Sequence, residues 1–428
     1  MSKPKFVKPI LIGVACAVPV GLVVGLSVNW DHTQFISAVG SSGVKPFIEK
    51  FGKAYHEINS NIDVTVESGG TTFAVEQLAK GYTNLGNASN NPYLNIHDQG
   101  YASQWENKKT LTLGWEGLCI MYSLPNGLSK EARQAFDIVI SEENIQDLYS
   151  VFSCIHNVPS WQDGDDCMWR YMTAEAQASC NTRDEQICKA TKILPFLRSG
   201  GNTGANSSIA FTRYSNLVDF EDLPEVQQKA FDGGNYGNDN PHMETDESNS
   251  RAWQSFVNTN KPGSMVYLTT SFLAKENNIK QIKEHGYKLA KYQAKGSSTP
   301  IIFDLDHVND SLDQICVTGK YNWFRPINVM LDINLKKAKD FLWWIYFGSA
   351  SKEQVVTSYR DDFEAMIHSL GAKAIDLENN FSTMCKNGTV SYENLFSTEA
   401  TDLALEEVRA TEHEGLFKEV YGAEDLWE

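Results

Sequence analysis

Phe35-Ile36-Ser37-Ala38-Val39-Gly40-Ser41-Ser42-Gly43 opens the part of the chain whose periodicity decides the fold. Phe35–Val39 reads as a strand that stops at a Gly/Ser turn. From Val44 to Ile58 the apolar residues recur at helical spacing, and Ile62–Glu67 alternates with period two. Thr72–Leu78 starts another helix and Asn84–Ala88 a third strand. Parallel neighbours need long crossovers, which helices supply, so this βαβαβ opening predicts a parallel sheet and an α/β class.

Outward from there, Leu111–Leu124 is an extended stretch long enough to cross between lobes, followed by helices at Ser129–Phe136 and Glu142–Phe152. Ile193–Leu197 reads as a strand that runs into a Gly/Asn-rich turn and a helix from Asn206. Phe231–Ser250, rich in Gly, Asn and acid, predicts a long surface loop or lid. Gly263–Leu268 and Trp323–Leu331 are further strands, and Lys336–Phe347 is a helix presenting Phe341, Trp343 and Trp344 to a core. From Glu393 onward acids dominate, yet Leu403, Leu405, Val408, Leu416, Phe417 and Val420 give the tail an apolar face, which predicts docked helices.

The length of 428 residues exceeds one ordinary core, and 42% apolar content excludes wholesale disorder. A net charge of -17 makes a long-range field that repels nucleic acid and anionic lipid. An anionic ligand must therefore be held by local geometry.

Lys3, Lys5 and Lys8 precede an apolar run from Pro9 to Val28, which at about 1.5 Å per residue spans roughly 30 Å of hydrocarbon. This predicts an uncleaved transmembrane anchor in residues 1–30, with the positive flank cytoplasmic and the body extracytoplasmic. A cleaved signal, in its sharpest form a lipoprotein signal ending at Cys16, is the competing reading; Gly13-Val14-Ala15 lacks its usual large aliphatic residue. Cys154, Cys167, Cys180 and Cys188 cluster in one polar segment, so two bridges are expected there, with buried free thiols as the alternative. The spacing around His156 matches no zinc pattern, and no metal or cofactor is expected.

Three β-to-helix junctions are rich in Ser, Thr, Gly and Asn: Val39–Gly43, Glu67–Thr72 and Arg198–Gly204. One junction alone is an ordinary N-cap. Three of them, after strands of an α/β chain, converge helix N-terminal N–H groups on a cleft, which is oxyanion chemistry. Arg198 adds a full charge in a fork suited to phosphate or carboxylate.

Gly40-Ser41-Ser42 followed by Pro46, the Gly70-Thr71-Thr72 turn, Leu85-Gly86-Asn87-Ala88-Ser89, the turn from Arg198 to Gly204 leading into Phe211-Thr212-Arg213-Tyr214, and Pro262-Gly263-Ser264-Met265-Val266-Tyr267 occur in an order that resembles the phosphate-binding protein of the phosphate-specific ABC importer. The resemblance covers most of residues 34–347. It implies a two-lobed type II periplasmic-binding-protein-like fold that is no enzyme, holds inorganic phosphate between lobes, and delivers it to ABC transporter permease subunits. Sulfate or another oxyanion is the lesser alternative ligand.

By position, the resemblance assigns Ser41, Ser42 and Gly43 to the first turn of the site, with a hydroxyl from Ser42 and an N–H from Gly43. Thr71 caps the second helix onto the ligand, Arg198 makes the charged contact, and Asn202 with Thr203, or Asn206 with Ser207, closes the cage. Asn90 stands where many members of that family carry an aspartate that accepts the proton of hydrogen phosphate. An amide can donate or accept, so discrimination against sulfate is less secured. The implied division is residues 31–114 plus 297–376 as lobe one, 115–296 as lobe two with an insertion at 154–188, and 377–428 as an acidic helical tail.

Two other classes compete. Ile301–Asp306 ends a strand in Asp304-Leu305-Asp306, which resembles the first motif of magnesium-dependent haloacid-dehalogenase-type phosphatases, although His307 and Val308 replace the usual Gly-Thr. Its bland counterpart is a solvated acidic turn. The other class is a surface interaction protein that keeps the fold without a ligand.

Overall fold

The computed structural model describes residues 35–397 except 91, 93, 94, 97, 98, 157, 158, 160, 200–207, 209, 210, 213, 214, 216, 247, 316–320 and 322. The expected anchor, Cys16, and the apolar tail residues from Leu403 lie outside them. Among the described residues no helix is long and apolar enough to cross a membrane.

The opening alternates as its periodicity demands: β1 Phe35–Gly40, α1 Lys45–Ile58, β2 Asp63–Ser68, α2 Gly70–Ala79 and β3 Leu85–Ala88. The helix α1 buries Phe47, Ile48, Phe51 and Tyr55, the stripe that its apolar spacing predicts. Then come β4 Lys108–Tyr122, α3 Ile145–Ser153, β5 Leu194–Ser199, β6 Met243–Asp246, α4 Asn249–Thr259 and β7 Ser264–Thr269. Helix α5 Val308–Ile315, strand β8 Phe324–Asp332 and helix α6 Lys336–Phe347 follow.

One sheet holds these strands in the order β2-β1-β3-β8-β4-β7-β5-β6, with Lys288–Leu289 and Lys373–Ala374 also paired to β4. In the first half β1 runs parallel to β2 and β3, as the alternation requires. In the second half β5 runs parallel to β6 and β7. The sheet as a whole is mixed, because β8 is antiparallel to β3 and β4, and β4 is antiparallel to β7. Strand β4 joins the halves: Lys108–Gly117 pairs with β8 and Leu118–Tyr122 with β7.

On one face of the first half, α1 and α6 pack through Tyr55 against Phe341 and Trp344, with ring centroids 5.1 and 5.0 Å apart. Residues 377–397 add Phe381, Met384 and Leu395 to that cluster, tied down by the buried Lys109, whose Nζ donates to the carbonyls of Met384 and Ser397. Burial lowers the Lys109 pKa to about 8. The other face shares a core with the second half, in which Phe211 stacks on Tyr267 and Trp323 and meets Tyr149 edge-on.

Two expectations are corrected. Phe231–Ser250 is not wholly a surface loop or lid, since it contains β6, an edge strand whose only buried residue is Thr245 and which therefore lacks an apolar signature. The cysteine segment carries no bridge, and Cys119, Cys154, Cys167, Cys180, Cys188 and Cys385 are all free thiols. Cys154 ends α3 in a left-handed conformation with φ 56° and is sealed in the core, while the Cys180 and Cys188 thiols sit in hydrogen-bond contact.

Candidate functional site

Parallel pairing brings the C-terminal ends of β1, β2 and β3 to one edge, so their outgoing turns meet. Gly40 has φ +138°, and a Cβ there would lie 2.2 Å from the Asn87 carbonyl oxygen, so only glycine lets β1 leave the sheet this close to β3. Ser41 N–H donates to that same carbonyl at 2.8 Å, and Gly69 N–H donates to the Gly40 carbonyl at 2.9 Å. The first two junctions are thereby joined by backbone bonds. Neither α1 nor α2 has an acidic residue in its first turn or a side-chain cap on its N-terminal N–H groups, which leaves the positive ends of both dipoles uncompensated.

Ser41 is buried and donates to Ser89 Oγ at 2.8 Å while accepting from Gly43 N–H at 3.2 Å. Ser42 is exposed on the turn, Gly43 is buried, and Thr71 is fully buried in the first turn of α2. Asn90 is buried beside them and its Nδ2 donates to Asn95 Oδ1 at 3.4 Å. Its Oδ1 has no hydrogen-bond partner among the described residues, and neither end of the Asn87 amide has one. Sealed amides without partners are costly in a folded protein unless something else occupies them.

In the second half, Arg198 leaves the end of β5 fully buried. Its Nη1 donates to Asn249 Oδ1 at 2.9 Å and to the Tyr267 carbonyl at 3.2 Å, and its guanidinium lies 5.7 Å from the Tyr267 ring centre. Ser208 and Tyr236 hydroxyls both donate to the Arg198 carbonyl, at 2.7 and 2.6 Å. Burial pushes the Tyr267 phenol up to about 12 against the pull of Arg198. A guanidinium held this firmly is pre-organised, which keeps the entropic cost of using it small. Asn202, Thr203, Asn206 and Ser207 lie outside the described residues.

The junctions are connected through side chains that the sequence reading did not single out. Asn249 Nδ2 donates to Thr269 Oγ1 at 3.0 Å, Thr269 Oγ1 lies 2.9 Å from Ser271 Oγ, and Ser271 donates to Glu116 Oε2. Glu116 Oε1 accepts from Arg325 Nε at 2.7 Å. Both members of this ion pair are buried. They face each other across β4 and β8 in the ladder register. A signal was present: Glu116 is the single acid in β4, and Arg325 the single cation in β8, and a charge inside an apolar strand requires a partner.

The phosphatase-like motif folds as a local acidic turn. Asp304 Oδ1 accepts from Asp306 N–H at 2.8 Å and Oδ2 lies 3.0 Å from His307 Nδ1, a local turn that holds the Asp304 carboxyl below its usual range and raises the His307 pKa. Asp306 is exposed and pairs with Lys283. Among the described residues no group of His, Cys, Asp and Glu is placed to hold a metal ion.

A family model described as the PBP superfamily domain matches residues 27–347. An uncharacterized lipoprotein of Mycoplasma genitalium is 26% identical over 351 residues, covering 78% of this chain and 82% of that protein. Among solved structures, a putative phosphate ABC transporter substrate-binding protein with bound phosphate from Clostridium perfringens is 12% identical, with a TM-score of 0.47, covering 80% of this chain and 100% of that one. An ABC-type phosphate transport receptor from Vibrio cholerae is 15% identical, with a TM-score of 0.44 and coverage of 80% and 100%.

Proposed function

The chain belongs to the PBP superfamily, and from that premise we propose that it is an extracytoplasmic solute-binding protein that captures inorganic phosphate and delivers it to an ABC transporter permease. The halves of the sheet act as lobes, residues 31–114 plus 297–376 in one and 115–296 in the other, and the anion is held between them. It performs no chemistry on its ligand.

What supports this reading is the set of acid-free helix N-termini and buried amide atoms without partners at the strand ends of the first half, together with a fully buried guanidinium at the end of β5 in the second. Such a set offers several N–H and hydroxyl donors to a tetrahedral oxyanion. It offers little to a neutral or cationic ligand. The chain is tethered through residues 1–30, by a spanning helix or by a lipid on Cys16; the Mycoplasma genitalium relative is a lipoprotein.

Titration calorimetry of the full chain with inorganic phosphate and with sulfate tests the assignment. Arg198→Ala and Thr71→Ala are each expected to weaken phosphate binding tenfold or more, about 1.4 kcal/mol. Affinities within twofold of the wild type would show that the anion binds elsewhere.

A further inference from the structure

Arg325 sits at the place where the two halves of the sheet share strands, and it uses little of its hydrogen-bonding capacity. Of its five N–H donors, the one on Nε is committed to Glu116. Among the described residues neither Nη1 nor Nη2 has an acceptor, although the residue is only 3% exposed. Neither Nη belongs to the fully sealed orphan atoms of the core, so the remaining accessibility is at the free edge of the guanidinium. That edge faces the first junction: a Cβ built on Gly43 would lie 2.9 Å from Arg325 Nη2, 3.0 Å from Glu116 Oε1 and 3.6 Å from Ser41 Oγ. The guanidinium edge is thus packed against Gly43, and any larger residue at position 43 would collide with it.

We propose that Arg325 is a second guanidinium of the anion site, donating from its Nη groups to an oxyanion seated on the Ser41–Gly43 turn; this rests on the reading of the protein as a phosphate binder. Glu116 is its positioning residue. With Nε fixed on the carboxylate, the planar fork turns its other edge to the junction.

Glu116 also couples this guanidinium to the first one. Ser271 donates to Glu116, so its oxygen accepts from Thr269, which accepts in turn from Asn249, whose Oδ1 holds Arg198. Every hydrogen in that chain points from Arg198 toward Glu116. Two cations from opposite halves of the sheet are thus oriented by one carboxylate, whose charge lowers the repulsion between them. A purely structural ion pair would instead be expected to meet its remaining donors with protein acceptors.

The test is calorimetric titration of inorganic phosphate into the full chain, with thermal melts as a folding control. Arg325→Gln should weaken binding at least tenfold and Arg325→Lys less. Because Arg325→Gln strands a buried carboxylate, the decisive variant is the double change Glu116→Gln with Arg325→Gln, which removes both charges. It should melt close to the wild type and still show the tenfold loss. A double variant that binds phosphate within twofold of the wild type would mean that the pair only holds β4 to β8, and the proposal would be wrong. Wild-type protein that binds no phosphate would overturn the functional reading and this proposal with it.

Discussion

Asn90 carries an unsatisfied Oδ1 and an Nδ2 with one long bond, so its amide is the adjustable group at the edge of the site. Replacing it with aspartate puts a pure acceptor where hydrogen phosphate has a proton and sulfate has none. Competition titrations on Asn90→Asp should show the phosphate-to-sulfate affinity ratio rising, by roughly tenfold for one charge-assisted bond of about 1.4 kcal/mol. A falling ratio would place Asn90 away from the ligand. At this scale the turns were legible because their signal is local: Gly40, Ser41 and Arg198 follow strands whose periodicity is plain. Glu116 and Arg325 were legible only as two charges in need of partners. Their pairing depends on the antiparallel register of β8 on β4, which shifts at a bulge between Ile327 and Asn328, and no local pattern encodes that register.

Among the elements, β4 is the one whose extended length predicts a crossing, and its 15 residues, about 50 Å at roughly 3.3 Å each, run through both halves of the sheet. Its glycines are where other chain segments press on it. A Cβ at Gly114 would come within 2.0 Å of the Lys373 carbonyl oxygen, and one at Gly117 within 2.7 Å of Ile315 Cγ2. Gly114→Ala must therefore push the Lys373–Ala374 strand off β4, at a cost of roughly 1–3 kcal/mol. Urea denaturation of the variant should show a lower midpoint; an unchanged midpoint would mean that residues 373–374 contribute nothing to the sheet. What the sequence concealed at this scale were short elements of polar composition. Strand β6, Met243–Asp246, reads as loop because an edge strand buries only one side chain, and its pairing to β5 rests on backbone bonds.

For the whole molecule, the net charge of -17 and an anionic ligand are compatible because the first turns of α1 and α2 carry no acid, while acids elsewhere face solvent or are paired. Asp306, Asp246 and Glu225 are exposed, while the buried Glu116 is neutralised by Arg325. Capture then depends on short-range donors after diffusion. Binding to the folded state alone should raise thermal stability, by about 2.7 kcal/mol at a hundred times the dissociation constant. Differential scanning fluorimetry should show the melting temperature climbing with phosphate for the wild type and staying flat for Arg198→Ala. A rise of equal size in that variant would point to nonspecific salt stabilisation.

The ribbon formed by β4 and β8 has a mechanical consequence. Both halves of the molecule are joined by a hydrogen-bonded ladder as well as a shared core, so any closing rotation about a ligand would have to twist that ladder. Under such a closure the ribbon would behave as a torsion spring, loaded by a bound anion and recoiling on its release. Residence time would be set partly by the stiffness of a ladder that extends far beyond Arg325, its one proposed contact with the ligand.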